Sequence, residues 1–237
     1  MGLHAVTHHV YPGITLDNWN QSSVLDRPLS DISWYAPIVS NTTFQMWSGE
    51  EGPHGGGEDG TCGVGSSACG VFASSFWYAD DMALRATKGF THFQRQDLVG
   101  ARYGLVSIPH DDEYLSKQDE VGLSSDFWIN FFWKRTLGTS VLNVTNDDDV
   151  LRVYAFSGEP VSPYAEYKNM SVSLVIINQG PNAKVLNMTV DDQVLKETVS
   201  WCLQSGLDSG DVNTTKTQVN GMHLPPSISN GKAIEKS

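Results

Sequence analysis

Between Val71 and Lys88, apolar side chains fall at Phe72, Phe76, Ala79, Ala83 and Ala86, in steps of four, three, four and three. That spacing is the stripe of an amphipathic helix, and Gly89 behind it supplies a stop. Strand-like runs bracket the helix, Phe44–Gly49 before it and Thr91–Asp97 after it. An earlier run, Leu3–His9, reads as a buried strand that closes on Tyr11-Pro12-Gly13. Strands separated by helices pair in parallel, because the crossover returns the chain to the same end of the sheet. The first half is therefore constrained to an α/β arrangement. Ser125–Leu137 predicts a second helix, with Phe127, Trp128 and Phe131 toward a core and Gly138 ending it.

Near residue 140 the periodicity changes. Val141–Val144, Val150–Phe156, Ser171–Ile177 and Lys184–Val190 are short, β-branched and alternating, and Gly, Pro, Asn and Asp separate them. They predict an antiparallel module, a β-sandwich, over residues 141–237, frayed from Leu224 onward. Residues 1–140 form the α/β part. A complete (β/α)8 barrel takes about 250 residues, so three strand candidates leave two readings: a smaller α/β sheet, or the closing part of a barrel.

Composition excludes several classes. A net charge of −12 with only 15 Lys and Arg argues against a nucleic-acid partner, which needs clustered cations. No apolar run approaches 18 residues, so the sequence contains no transmembrane segment. The start lacks the basic flank and apolar stretch of a secretory signal. Yet Asn-x-Ser/Thr occurs at Asn20, Asn41, Asn143, Asn169, Asn187 and Asn213, against roughly two expected by chance. That excess predicts an extracellular or lumenal protein whose N-terminus continues beyond Met1. Of the three cysteines, none forms a Cys-x-x-Cys pair, which disfavours a thiolate metal site. Cys62 and Cys69 flank a Gly/Ser-rich loop and are either a disulfide closing it or two free thiols.

Polar residues gather at three predicted strand ends: Thr7-His8-His9-Val10-Tyr11, then Trp47-Ser48-Gly49-Glu50, then Gln94-Arg95-Gln96-Asp97 with Tyr103 following. The second leads into a loop containing Gly55, Gly56 and Gly57. In βα architectures the carboxyl ends of strands form the reactive face. A carboxylate there, beside backbone N–H groups able to hold substrate oxygens, suits a nucleophile. Blander readings stand beside this one. A lone Glu is more often a cap or salt-bridge partner, and a Gly-rich run only a loop. His8 and His9 point to opposite faces of a strand, so at most one faces the site. Asp80 with Asp81, and Asp111, Asp112 and Glu113, read as solvated faces, and Asp81–Arg85 as an ordinary i,i+4 pair.

These residues also carry a resemblance. Val6-Thr7-His8-His9-Val10-Tyr11-Pro12-Gly13, Trp47-Ser48-Gly49-Glu50, Ser75-Phe76-Trp77-Tyr78-Ala79-Asp80 and the Arg95–Leu105 stretch resemble the family 79 glycoside hydrolases, the heparanases and related β-glucuronidases. The likeness continues through Asp126–Asn130, Phe132–Gly138 and Leu151–Ala155, and covers roughly residues 3 to 180. It implies the C-terminal portion of a (β/α)8 TIM barrel followed by an antiparallel β-sandwich, and a retaining mechanism run by two glutamates without metal or cofactor. By the resemblance, Glu50 is the nucleophile. Gly56 and Gly57 supply backbone donors to a glucuronate carboxylate, Gln96 and Tyr103 orient the sugar, and His8 lines its pocket. Where the family has a tyrosine two positions after that histidine, this chain has Val10, with Tyr11 beside it.

The family's acid/base glutamate lies in an Asn-Glu setting on an earlier strand, and no Asn-Glu dipeptide occurs in these 237 residues. The expectation is a chain holding the nucleophile half of a longer enzyme and inactive alone, whose partner is a glucuronate-containing glycan or glycoside. A missing N-terminal barrel segment is the implied second partner, and membrane association is open to the family. Cleavage within heparan sulfate wants basic walls; this chain supplies few, which favours exo-acting chemistry. The alternative is a secreted glycan-binding or surface glycoprotein that kept the fold and lost turnover.

Overall fold

The structure, a computed structural model, describes residues 3–40, 42–55, 62, 67–100, 103–107, 121–158, 171–190, 193–194, 199–206, 210–224 and 227–228. The first half contains β1 (Ala5–Val10), α1 (Ser22–Leu25), α2 (Arg27–Ser40), β2 (Gln45–Glu51), α3 (Ala73–Thr87), β3 (Phe90–Arg95), β4 (Val106–Ser107), β5 (Val121–Leu123) and α4 (Ser125–Thr136). Then follow β6 (Leu137–Leu142), β7 (Leu151–Gly158), β8 (Val172–Asn178), β9 (Thr189–Val190), β10 (Gln193–Val194), β11 (Leu203–Ser205), β12 (Thr217–Val219), β13 (Met222–His223) and β14 (Ser227–Ile228). Strands β1, β2 and β3 form a parallel sheet in that order, with α2 and α3 in the two crossovers. These are two successive βαβ units, as the alternation of periods predicts.

Helix α2 is absent from the sequence reading. Pro28 and Pro37 break the appearance of a helix, although proline is tolerated in the first turn. Its buried positions, Pro28, Ile32 and Val39, still follow helical spacing. Ile32 and Ala36 pack on Met46, Phe90 and Phe93, covering one face of the sheet. Strand β1 is less buried than predicted: only Val10 is fully enclosed, and Thr7 and His9 are exposed.

Helix α3 is the centre of the molecule. Trp77, Tyr78, Met82 and Ala73 join Ile14, Leu25, Ala68 and Leu105 in the largest core cluster. The other side of the helix meets Tyr154 and Phe156 of β7 through Ala83 and Leu84. Nearly every side chain from Ala73 to Arg85 is buried, which overturns the solvated face expected for Asp80 and Asp81. Both are fully enclosed because layers pack on the polar as well as the apolar side of the helix. Arg152 and Tyr154 of β7 bond to Asp80, the tyrosine hydroxyl donating at 2.7 Å, and Arg152 also reaches Asp26 at 2.8 Å. Asp111, Asp112 and Glu113 lie outside the described residues.

Ser124 caps α4, its hydroxyl accepting from the Phe127 N–H at 3.2 Å. The helix does not stop on Gly138. The chain turns extended at Leu137 and runs straight into β6, where Gly138 sits so close to Ser157 that a Cβ would lie 2.8 Å from its carbonyl oxygen. Strands β6, β7 and β8 form an antiparallel meander with Val153 opposite Ile176. Of the strand predicted over 184–190, only Thr189–Val190 forms. The later segment returns to the first half: β14 pairs with β5, and the Thr214 and Val212 carbonyls take the Phe72 and Ala73 N–H groups.

Removing one member of a buried ion pair strands the other. Arg152→Ala leaves Asp80 enclosed and is expected to cost about 3–5 kcal/mol. Asp26→Ala, at the more exposed end of the same arginine, should cost under about 1 kcal/mol. Urea unfolding of the two variants checks the contrast, and equal losses would show that the Asp26 end of Arg152 contributes as much as its buried end.

Candidate active site

The carboxyl ends of the three parallel strands converge. Glu50 is the penultimate residue of β2, Tyr11 follows β1, and Gln96 follows β3. Both pairings shift register here, between His8 and His9 and between Ser48 and Glu51. The irregularity re-aims the strand end, as bulges beside functional sites do. It sets His9 opposite Glu50. The Tyr11 hydroxyl donates to Glu50 Oε2 at 2.8 Å, and His9 Nδ1 lies 3.4 Å from the same oxygen. Burial and the adjacent Glu50 carboxylate push the Tyr11 phenol well above its ordinary value, so it remains a donor. The Glu50 side chain is 40% exposed and open to a ligand. Gly52 makes the contact possible: a Cβ there would lie 2.8 Å from the Tyr11 ring.

Behind this pair stands Arg95, enclosed at the end of β3. Its guanidinium donates to the Tyr103 carbonyl at 2.9 Å, to Asp126 Oδ2 at 2.9 Å and to the Glu51 carbonyl at 3.2 Å. It also lies over the rings of Tyr78 and Tyr103. Ser74 and Ser75 donate to the other Asp126 oxygen at 2.9 and 3.2 Å. Tyr103 is buried against Cys62 and Cys69, which form a disulfide. The Gln96 side chain is exposed, and its N–H is fixed to the Glu51 carbonyl at 2.9 Å.

Of the sequence-predicted residues, the structure brings Glu50 and Tyr11 together, with Tyr103 beside them and Gln96 at the neighbouring strand end. Gly56 and Gly57 lie outside the described residues. His8 does not join Glu50. It lies on the other face of β1, its register partner the buried Ser48, and borders a cleft of about 290 Å³ that His9, Tyr11, Arg27 and Asp31 line as well. Burial, and next the Arg85 charge, lower its pKa. The histidine beside the carboxylate is His9. Strand alternation could have found it, since residues two apart share a face and Tyr11 therefore goes with His9. Among the described residues no cluster of His, Cys, Asp and Glu has the makings of a metal site.

Glu51, next in sequence to Glu50, points the other way and is fully enclosed. Its oxygens make no well-formed hydrogen bond, and Asp81 and Arg85 of α3 lie buried beside it. Arg85 Nε bonds both Asp81 oxygens, at 3.1 and 3.0 Å. Burial first, then the Asp81 charge, pushes Glu51 up to about 8, against the pull of Ser48, Arg85 and Arg95. Asp81 is raised as well, and Asp80 is pushed up to about 6, each chiefly by burial. Glu51, beside the Arg85-paired Asp81, is the carboxyl that burial favours as the neutral acid.

Heparanase-like protein 1 of Arabidopsis thaliana is 27% identical over 260 aligned residues, spanning 97% of this chain and 43% of that protein. Heparanase-like protein 2 of the same plant is 28% identical over 185 residues, 74% of this chain and 30% of its own length. The chain is similar to the plant heparanase-like proteins. It spans less than half the length of these heparanase-like relatives. No family model matches it.

A carboxyl whose folded-state pKa is raised contributes stability that is fully present below its unfolded value and lost as pH climbs to the folded one. For Glu51 that window runs from 4.5 to about 8. Thermal stability is therefore expected to decline from pH 5 to pH 8. Glu51→Gln, which cannot ionise, should melt above the parent at pH 8 and level with it at pH 5. Parallel melting curves across that range would place the titration elsewhere.

Proposed function

We propose that this chain carries the nucleophile of a retaining glycosidase acting on β-glucuronides or glucuronidated glycans, and that the nucleophile is Glu50. The observation that carries the reading is the exposed Glu50 carboxylate at the end of β2, with one oxygen held by Tyr11. The similarity to heparanase-like proteins supports a glycosidase-type relationship. In the same reading, residues 1–140 are the C-terminal portion of a (β/α)8 barrel, residues 141–237 an antiparallel sandwich, and the protein is secreted or lumenal.

The chemistry follows from the geometry. Tyr11 and His9 engage Oε2, which leaves Oε1 to attack the anomeric carbon. A bond forms from Oε1 to that carbon as the bond to the leaving oxygen breaks, giving a glycosyl ester on Glu50. The hydrogen bond from Tyr11 fixes the rotamer of the carboxylate. Water then hydrolyses the ester, restoring the carboxylate with net retention. The leaving oxygen needs a proton from a second carboxyl about 5 Å from the first. We assign no residue of this chain to that role. Gln96, Tyr103 and the loop glycines Gly56 and Gly57 are the candidates for holding the uronate.

Without its acid, a retaining site loses about 10²–10⁴ in rate on ordinary leaving groups. The 237-residue chain is therefore expected to leave simple aryl β-glucuronides almost untouched. A 2-deoxy-2-fluoro glucuronide with a dinitrophenolate leaving group needs no acid and should glycosylate Glu50, releasing the phenolate. Peptide mass mapping should find the adduct on Glu50 in the parent chain and none in Glu50→Gln. Absence of any adduct would favour a glycan-binding protein without turnover, and an adduct on another carboxyl would reassign the nucleophile.

A further inference from the structure

The β6–β7–β8 sheet leaves an apolar rim at one end. Val141 is 40% exposed, Val144 41%, Leu186 37% and Val185 91%. Single exposed hydrophobics are ordinary, but these four fall on two short stretches, one at the end of β6 and one before β9. The loop after β6 and the segment before β9 lie side by side, tied by the Lys184–Asp148 ion pair at 2.7 Å. Between them runs a cleft of about 620 Å³, bounded by Asn146–Leu151 on one wall and by Val185, Leu186 and Asn187 on the other.

Two of the six sequons sit on this rim, Asn143-Val144-Thr145 and Asn187-Met188-Thr189. Both asparagines are exposed, and neither side-chain amide makes a hydrogen bond among the described residues. Each has exposed apolar residues beside it, Val144 next to one and Leu186 with Val185 next to the other. Asn20 is different. Its amide nitrogen, the atom that would bear a sugar, donates to the Gln179 carbonyl at 3.3 Å, and Gln179 returns a bond at 3.2 Å to the Asn20 carbonyl. Disulfides such as Cys62–Cys69 persist mainly in oxidising compartments, where the glycosylation machinery also operates.

We propose that Asn143 and Asn187 carry N-linked glycans, and that their N-acetylglucosamine cores cover the apolar rim, the Asn187 glycan lying in the adjoining cleft. The proposal rests on the reading of the protein as a secretory one. N-acetylglucosamine suits the surface: its ring faces and acetyl methyl are apolar, while its hydroxyls can meet Asp147, Asp148 and Asp149 along the cleft wall.

The test is to secrete the 237-residue chain from eukaryotic cells behind a heterologous signal peptide and release its glycans enzymatically in ¹⁸O water. Each formerly occupied asparagine then appears as labelled aspartate in peptide maps. Asn143 and Asn187 are expected to be labelled. Thr145→Ala and Thr189→Ala should each lose one glycan mass. Deglycosylating the folded parent should raise binding of a hydrophobic-surface dye severalfold, so the outcome does not depend on a variant folding. Occupancy confined to the other sequons, or dye binding unchanged on deglycosylation, would overturn the proposal. A secreted chain with no glycan at any of the six and with Cys62 and Cys69 as free thiols would instead remove the secretory reading beneath it.

Discussion

The pair formed by Arg95 and Asp126 holds the candidate site in shape. Their side chains are 4% and 3% exposed and meet at 2.9 Å. Burying two charges is costly unless every remaining donor and acceptor finds a partner. Here most of the surplus capacity is spent on structure, with Arg95 Nε the exception. Arg95 holds the carbonyls of Glu51 and Tyr103, and Asp126 takes the hydroxyls of Ser74 and Ser75. One ion pair thus ties the ends of β2 and β3 to the starts of α3 and α4 and to the loop bearing Tyr103. The exposed carboxylate of Glu50 can be oriented without close packing of its own because the backbone on either side of it is held in this way.

Adjacent residues in β2 show how strongly location governs chemistry. Glu50 and Glu51 are the same amino acid one position apart. One faces a ligand-accessible edge and accepts a hydrogen bond from a phenol. The other faces α3, where low polarity and a neighbouring aspartate favour the neutral acid. Strand alternation accounts for the division. Together with Asp80 and Asp81, Glu51 makes the interior of this acidic chain better suited to acidic than to alkaline surroundings.

Much of this was legible beforehand. The helical spacing of apolar residues located α3 and α4, and strand-like runs located β2 and β3, within a residue or two. Helix α2 escaped because two prolines and several serines imitate a loop, and its fit to the sheet is a tertiary effect. The depth of Asp80, Asp81 and Arg85 escaped for a related reason. Polarity at i,i+4 spacing reads as surface unless the arginine arriving from β7, 72 residues after Asp80, is known. At the site, Glu50 and Tyr11 could be named from the motif. By alternation His8 and His9 fall on opposite faces, and the one beside Glu50, His9, shares its face with Tyr11.

Gly52 has a consequence of its own. Its place after Glu51 looks like an ordinary hinge, yet nothing in its backbone demands flexibility; the Tyr11 ring has simply taken the volume a methyl would need. An alanine there would push the phenol off the carboxylate while leaving both reactive side chains unaltered. Such a lesion would imitate damage to Tyr11 while its origin lay 41 positions downstream, in a residue with no reactive group of its own.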